Sequence, residues 1–196
     1  MSGAIRLIVG LGNPGEKYKE NRHNIGFRII EELISFYKMK EFKTDKLKAT
    51  YKGLINNHEV ILFKALTFMN LTGTALNTFK KFYKIDINNI IIIHDELDLK
   101  FGKIKYKKGG GNSGHNGLEN IDQNIGSDYA RVRFGIGHPG NKNLVENYVL
   151  EDFNNNEKLV LDKLIKNICK NFYLLIENNP QKFISDLSEK QFTSLK

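Results

Sequence analysis

Apolar positions along the chain follow two rhythms in turn. Residues Arg6–Gly10 (RLIVG) form a short continuous apolar run, the pattern of a strand buried on both faces. Ile25, Ile29, Ile30, Leu33, Ile34 and Tyr37 then recur at helical spacing, predicting an amphipathic helix over Gly26–Met39. Thr50–Ile55 and Glu59–Ala65 read as two strands around an Asn56-Asn57-His58 turn. A helix follows over Asn70–Tyr83, with Leu71, Ala75, Leu76, Phe79 and Phe82 on one side. Asn89–His94 holds four consecutive isoleucines, the mark of a central strand covered on both faces. Ile104–Lys107 and Arg131–Ile136 are further strands, and Lys158–Glu177 is a long helix with Leu161, Leu164, Ile165, Ile168, Phe172 and Leu175 inward. The only cysteine, Cys169, lies on that inward face and reads as core filling.

Strands and helices alternating in this way predict an α/β fold: one domain over residues 1–196, with a twisted, mixed but mostly parallel sheet flanked by helices on both faces. In such sheets chemistry gathers beyond the carboxyl ends of the strands. That directs attention to GLGNPG after the first strand, LTFMN after Ala65, and HDELD after the isoleucines.

Composition narrows the classes. No stretch reaches the ~18 apolar residues of a membrane span, and the N-terminal run enters a strand-like segment without the regions of a signal peptide, so a cytoplasmic protein is expected. A lone cysteine allows no intrachain disulfide. The net charge of +8 fits either a lysine-rich composition or a polyanionic partner, nucleic acid first.

GLGNPG satisfies G-x-G-x-x-G through Gly10, Gly12 and Gly15, the glycine pattern of a dinucleotide-binding turn. That reading needs a helix to begin inside the motif. Pro14 biases Asn13 towards extended geometry, EKYKENRHN lacks apolar helical spacing, and the acids Glu31 and Glu32 fall inside a helix rather than at a strand end. The oxidoreductase reading therefore rests on the glycines alone. The other use of the turn is to present the Asn13 amide over a pocket, against the plain alternative of a surface turn.

Hydrolase patterns that depend on a nucleophile or a metal are also missing. GNSGH has His115 in the last glycine place of G-x-S-x-G, there is no H-E-x-x-H, and five histidines are scattered. What remains is His23 in NRHNIGF, Asp95 in HDELDL, and amides from Asn13, Asn70 and Asn116. Each has an ordinary alternative: a packed or capping His, a capping Asp or Asn, a polar mobile loop. Taken together they suit water activation at an ester, with His as base, Asp orienting it, and amides steadying water or oxyanion.

The blocks LIVGLGNPGEKY, RHNIGF, TFMNLTG, HDELDL, GGGNSGHNGL and RVRFGIGHPG, in that order over residues 5–140, together resemble bacterial-type peptidyl-tRNA hydrolase. The resemblance implies a monomeric, cytoplasmic enzyme that uses neither cofactor nor metal and cleaves the ester between a peptide and the terminal ribose of tRNA. It implies His23 as base and Asp95 as its orienting carboxylate, with Asn13, Asn70 and Asn116 as active-site amides. Tyr18 and Met69 would line the peptide cleft and His115 would flank the site. Arg133, with Lys105 or Lys107, would clamp the tRNA 5′-phosphate. Gly109–Gly114 and Leu144–Leu150 would be flexible cleft walls. The basic residues Lys103, Lys105, Lys107 and Lys108, with Arg131 and Arg133 alternating on the next strand, would supply sequence-independent phosphate contacts. Asn21 and the pair Asn112-Ser113 depart from the family pattern and bear on loop geometry. A non-catalytic RNA-binding relative of the same fold is the alternative, against which the intact His23, Asp95 and three Asn residues argue.

Overall fold

Seven strands pair into one sheet in the computed structural model, which describes residues 5–193; the first four and last three residues of the expected 1–196 unit lie outside the described residues. The strands are β1 (Arg6–Gly10), β2 (Lys40–Thr44), β3 (Lys48–Ile55), β4 (His58–Ala65), β5 (Ile90–Glu96), β6 (Ile104–Lys108) and β7 (Ala130–Gly135), in the order β2-β3-β4-β1-β5-β7-β6. The four central strands β4, β1, β5 and β7 run parallel, and the outer pairings β2–β3, β3–β4 and β6–β7 are antiparallel. The hairpin between β3 and β4 turns at Asn56 and Asn57, both with positive φ, and sets Ile55 opposite His58.

The helices are α1 (Ile25–Phe36), α2 (Thr72–Phe82), α3 (Asn116–Ile125), α4 (Val145–Leu150), α5 (Asn155–Asn171), α6 (Tyr173–Ile176) and α7 (Pro180–Thr193). The isoleucines of β5 divide between two cores. Ile91 and Ile93 pack with residues of α1, α5, α6 and α7, while Ile90 and Ile92 pack with those of α2 and α3. Both faces of the sheet are thus covered, as the apolar run predicts. None of the helices among the described residues is long and apolar enough to cross a membrane.

The structure moves several boundaries. β5 runs through Glu96, because its pairing with β7 continues to Gly135, so Asp95 lies inside the strand rather than after it. The long helix expected over Lys158–Glu177 starts earlier, at a capping box of Asn154 and Glu157, and divides at Phe172 into α5 and α6. Cys169 is fully buried among the core residues of that face.

Gly10 and Gly12 of GLGNPG serve packing, and Gly15, with φ of 106° and open space around it, serves the turn. A side chain on Gly10 would run into the Gly26 carbonyl and Ile30, and one on Gly26 into the backbone of Leu11 and Ile93. The two glycines let α1 lie directly on β1 and β5. No helix begins at the motif: Glu16–Tyr18 is a single turn of 3-10 helix, and α1 starts at Ile25.

Candidate active site

A cavity of about 1060 Å³ opens beyond the carboxyl ends of β1 and β5. Its lining includes Asn13, His23, Met69, Asn70, Asp95, His115 and Asn116, bringing together residues from five separate stretches of sequence. Phe68, Leu97, Val145, Val149 and Leu150 give it an apolar side, the last three from α4.

Strand alternation turns Asp95 to the face that α1 covers, and the turn Arg22–Asn24 before α1 delivers His23 to it. His23 Nδ1 lies 2.9 Å from Oδ1 and 3.0 Å from Oδ2 of Asp95. A second imidazole reaches the same carboxylate: His115 Nε2 lies 3.0 Å from Asp95 Oδ1. Asp95 is 3% exposed. Burial alone would raise its pKa, but the two imidazoles hold the carboxyl well below the usual carboxylate range.

The tautomer of His115 is fixed by its other nitrogen. Nδ1 accepts the backbone N–H groups of Gly117 (3.1 Å) and Leu118 (3.4 Å), so His115 caps α3 and must carry its proton on Nε2, where it donates to Asp95. This bears on metal binding. His23, Asp95 and His115 place one ligand atom each within 4.8 Å of one another. A cation on His115 Nε2 would require an imidazolate or the loss of the cap, so the trio suits hydrogen bonding better than coordination.

A third imidazole lies beneath. His94 is 1% exposed, donates Nδ1–H to the Asp95 carbonyl at 2.6 Å, and among the described residues has no partner on Nε2. Burial, helped by His115, pushes its pKa down to about 3, against the opposing pull of Asp95. It stays neutral beside the ionised Asp95.

Asn13 is held on three sides. Its backbone N–H donates to Asn24 Oδ1 and its carbonyl accepts from Asn24 Nδ2, both at 2.9 Å. Its own Oδ1 accepts the Met69 N–H at 2.8 Å. That bond sets the amide orientation and leaves Nδ2 as a donor on the cavity wall. Asn70 and Asn116 also line the cavity, and among the described residues neither side chain makes a hydrogen bond within the protein.

Four expected residues stand elsewhere. Tyr18 is half-buried on the Glu16–Tyr18 turn, with the Lys17 ammonium 4.6 Å from its ring centre, and is not part of the cavity lining. Lys105 and Lys107 are exposed on β6, opposite Arg133 and Arg131 of β7. Arg133 donates Nε–H to Glu96 at 2.8 Å. Arg131 is not an exposed phosphate contact. It is 3% exposed and donates to the carbonyls of Gly109, Gly110 (2.6 Å) and Gly111 (2.8 Å), because the glycine stretch folds back over it.

Arg22 and Asn24 were not singled out by sequence. Arg22 is buried, with its guanidinium 4.5 Å from the Tyr148 ring centre. It donates to the Asp152 carbonyl and to Glu157 Oε2 at 2.7 Å. The turn carrying His23 is thereby tied to the chain that follows α4. Their only signal was adjacency to His23 in the RHN stretch.

The chain matches the family model described as peptidyl-tRNA hydrolase over residues 7–194. A peptidyl-tRNA hydrolase of Ehrlichia ruminantium (strain Welgevonden) is 46% identical over 179 residues, covering 91% of this chain and 92% of the relative. One of Sulfurimonas denitrificans is 45% identical over 189 residues, covering 95% and 98%. The crystal structure of peptidyl-tRNA hydrolase from Acinetobacter baumannii superposes with a TM-score of 0.88 at 39% identity, covering 95% of this chain and 97% of that one.

Proposed function

The chain belongs to the peptidyl-tRNA hydrolase family, and from that premise we propose that His23 is the general base of its hydrolysis of peptidyl-tRNA, with Asp95 orienting it. The supporting observation is the pair of contacts from His23 Nδ1 to the Asp95 carboxylate, made at the wall of the cavity. Nδ1–H donates to Asp95, which leaves the Nε2 lone pair for a water. His23 Nε2 takes a proton as the water oxygen bonds to the ester carbonyl carbon. The negative charge that develops on the carbonyl oxygen is met by amide N–H groups, for which the Asn13 Nδ2 is oriented and those of Asn70 and Asn116 are unengaged. The tetrahedral intermediate then breaks its bond to the ribose oxygen, which takes the proton from His23 Nε2. The peptide leaves as a carboxylic acid that gives its remaining proton to solvent, and the tRNA with a free terminal hydroxyl.

Asp95 remains ionised throughout and stabilises the imidazolium. The apolar side formed by Phe68, Val145 and Val149 suits side chains of the peptide. Met69 belongs with this group, and Tyr18 stands outside it. The exposed cations Lys105 and Lys107, with Arg133, are the phosphate contacts of the tRNA, giving affinity without reading sequence. The protein acts as a cytoplasmic monomer, and its described residues form a single domain around one sheet.

The test is hydrolysis of N-acetyl-aminoacyl-tRNA against free aminoacyl-tRNA by the wild type and His23→Ala. The variant is expected to lose roughly 10²–10⁴-fold in turnover while still binding tRNA. Unchanged turnover removes His23 from the mechanism.

A further inference from the structure

Glu96, the last residue of β5, divides its carboxylate between two tasks. Oε1 accepts the backbone N–H of Asp98 at 3.2 Å, in the loop that lines the cavity, and Oε2 accepts the Nε–H of Arg133 at 2.8 Å. Arg133 sits opposite His94, and Glu96 stands two residues further along the same face of β5, so the arginine side chain runs along the strand to reach it. Glu96 is 7% exposed, and Arg133 is only partly covered.

The form of this contact matters more than its presence. A carboxylate that serves only to neutralise an arginine commonly takes two N–H groups side by side. Here one bond engages Nε, and among the described residues Nη1 and Nη2 of Arg133 meet no protein acceptor. On the other side of β7 the exposed Lys105 and Lys107 have no ion-pair partner among the described residues. Lys105 stands directly opposite Arg133, Lys107 stands two residues away opposite Arg131 with its ammonium beside Gly110, and the rigid fork of Arg133 is clamped at its root.

We propose that Glu96 is a specificity-determining positioning residue: it holds Arg133 by Nε so that the two Nη groups face the terminal phosphate of the tRNA, and it joins that grip to the cleft through Asp98. The proposal rests on the reading of Arg133 as a phosphate contact. It makes a prediction opposite to that of simple Coulomb repulsion. A carboxylate beside a phosphate site weakens anion binding by charge alone, so its removal would strengthen the phosphate preference. If the carboxylate orients the fork, its removal weakens that preference.

The experiment compares kcat and KM for N-acetyl-aminoacyl-tRNA with and without its 5′-phosphate, using wild type, Glu96→Gln and Arg133→Gln. Glu96→Gln is expected to lower the ratio of kcat/KM between the two substrates by roughly fivefold or more, chiefly through KM. Arg133→Gln is expected to abolish the ratio. A Glu96→Gln ratio equal to or above the wild type overturns the proposal while leaving Arg133 as a phosphate contact. A normal ratio in Arg133→Gln overturns that underlying reading, and the proposal with it. A readout that needs no variant is the arginine side-chain NMR spectrum of the wild-type protein. The Arg133 Nε–H is expected to exchange slowly with water and to stay in place when a 5′-phosphorylated acceptor-stem hairpin is added, while the Nη signals move. Fast exchange at Nε overturns the proposal.

Discussion

His115 donates to Asp95 through Nε2 at 3.0 Å because its Nδ1 is already engaged in capping α3. The imidazole therefore competes with His23 for one carboxylate and is barred by its fixed tautomer from acting as the base. His115→Asn keeps a residue type suited to the cap and removes the competitor. With Asp95 then serving His23 alone, the carboxylate holds the Nδ1–H of the base more firmly, so kcat on N-acetyl-aminoacyl-tRNA is expected to rise by roughly two- to fivefold. An unchanged kcat removes His115 from control of the base.

The Asn13 amide has its oxygen on Met69 and its nitrogen on the cleft. Asn13→Asp preserves shape and the acceptor for the Met69 N–H but deletes the donor and adds a negative charge where an oxyanion would form. A fall in kcat of roughly 10²–10³-fold is expected, with an unaltered melting temperature. Wild-type kcat would mean that Asn13 only supports the Met69 turn.

His94 links the site to acid stability. In the folded protein burial keeps it neutral down to about pH 3, whereas in the unfolded chain it takes a proton near its ordinary value of 6.5. Between those values the unfolded state binds the extra proton, so this contribution is complete above pH 6.5 and is lost as the pH falls towards 3, by at most about 1.4 kcal/mol per pH unit. Urea midpoints at pH 7.5 and 5 are expected to differ less in His94→Gln than in the wild type. Equal differences would show that His94 does not titrate on unfolding.

Gly26→Ala tests the other use found for the glycine pattern. The added methyl would meet the backbone of Leu11 and Ile93, neither of which can step aside as a side chain could. A loss of about 3 kcal/mol is expected in chemical denaturation. A change under 0.5 kcal/mol would show that α1 can shift away from the sheet at little cost.

The parts legible in sequence were those with their own rhythm or punctuation. The four isoleucines marked β5, and Asn56-Asn57 marked the hairpin between β3 and β4. α3 was missed because NGLENIDQNI turns only Leu118 and Ile121 fully inward and its cap is a histidine rather than Ser or Asp. Gly126, with φ of 81°, was the available stop signal. β2 is a short, lysine-bearing edge strand with little apolar pattern. The helix from Pro180 was announced only by its proline. Within the site, His23, Asp95, Asn13, Asn70 and Asn116 were legible through their motifs. The roles of Arg22, Asn24, His94 and Glu96 were not, since an alternating strand pattern says which residues share a face and not which are covered by a distant loop. Arg131 shows the same limit: it shares a face with Arg133, and the glycine stretch buries one and not the other.

The burial of Arg131 has a consequence for substrate recognition. Consecutive glycines have more backbone freedom than any other sequence, and fixing them late would subtract from the affinity for each tRNA that arrives. One guanidinium bonded to three successive carbonyls settles that entropy when the chain folds. The segment that ends in Asn116 is then pre-organised before the ester enters, and glycine supplies the positive φ of positions 109 and 110 without the looseness its sequence suggests.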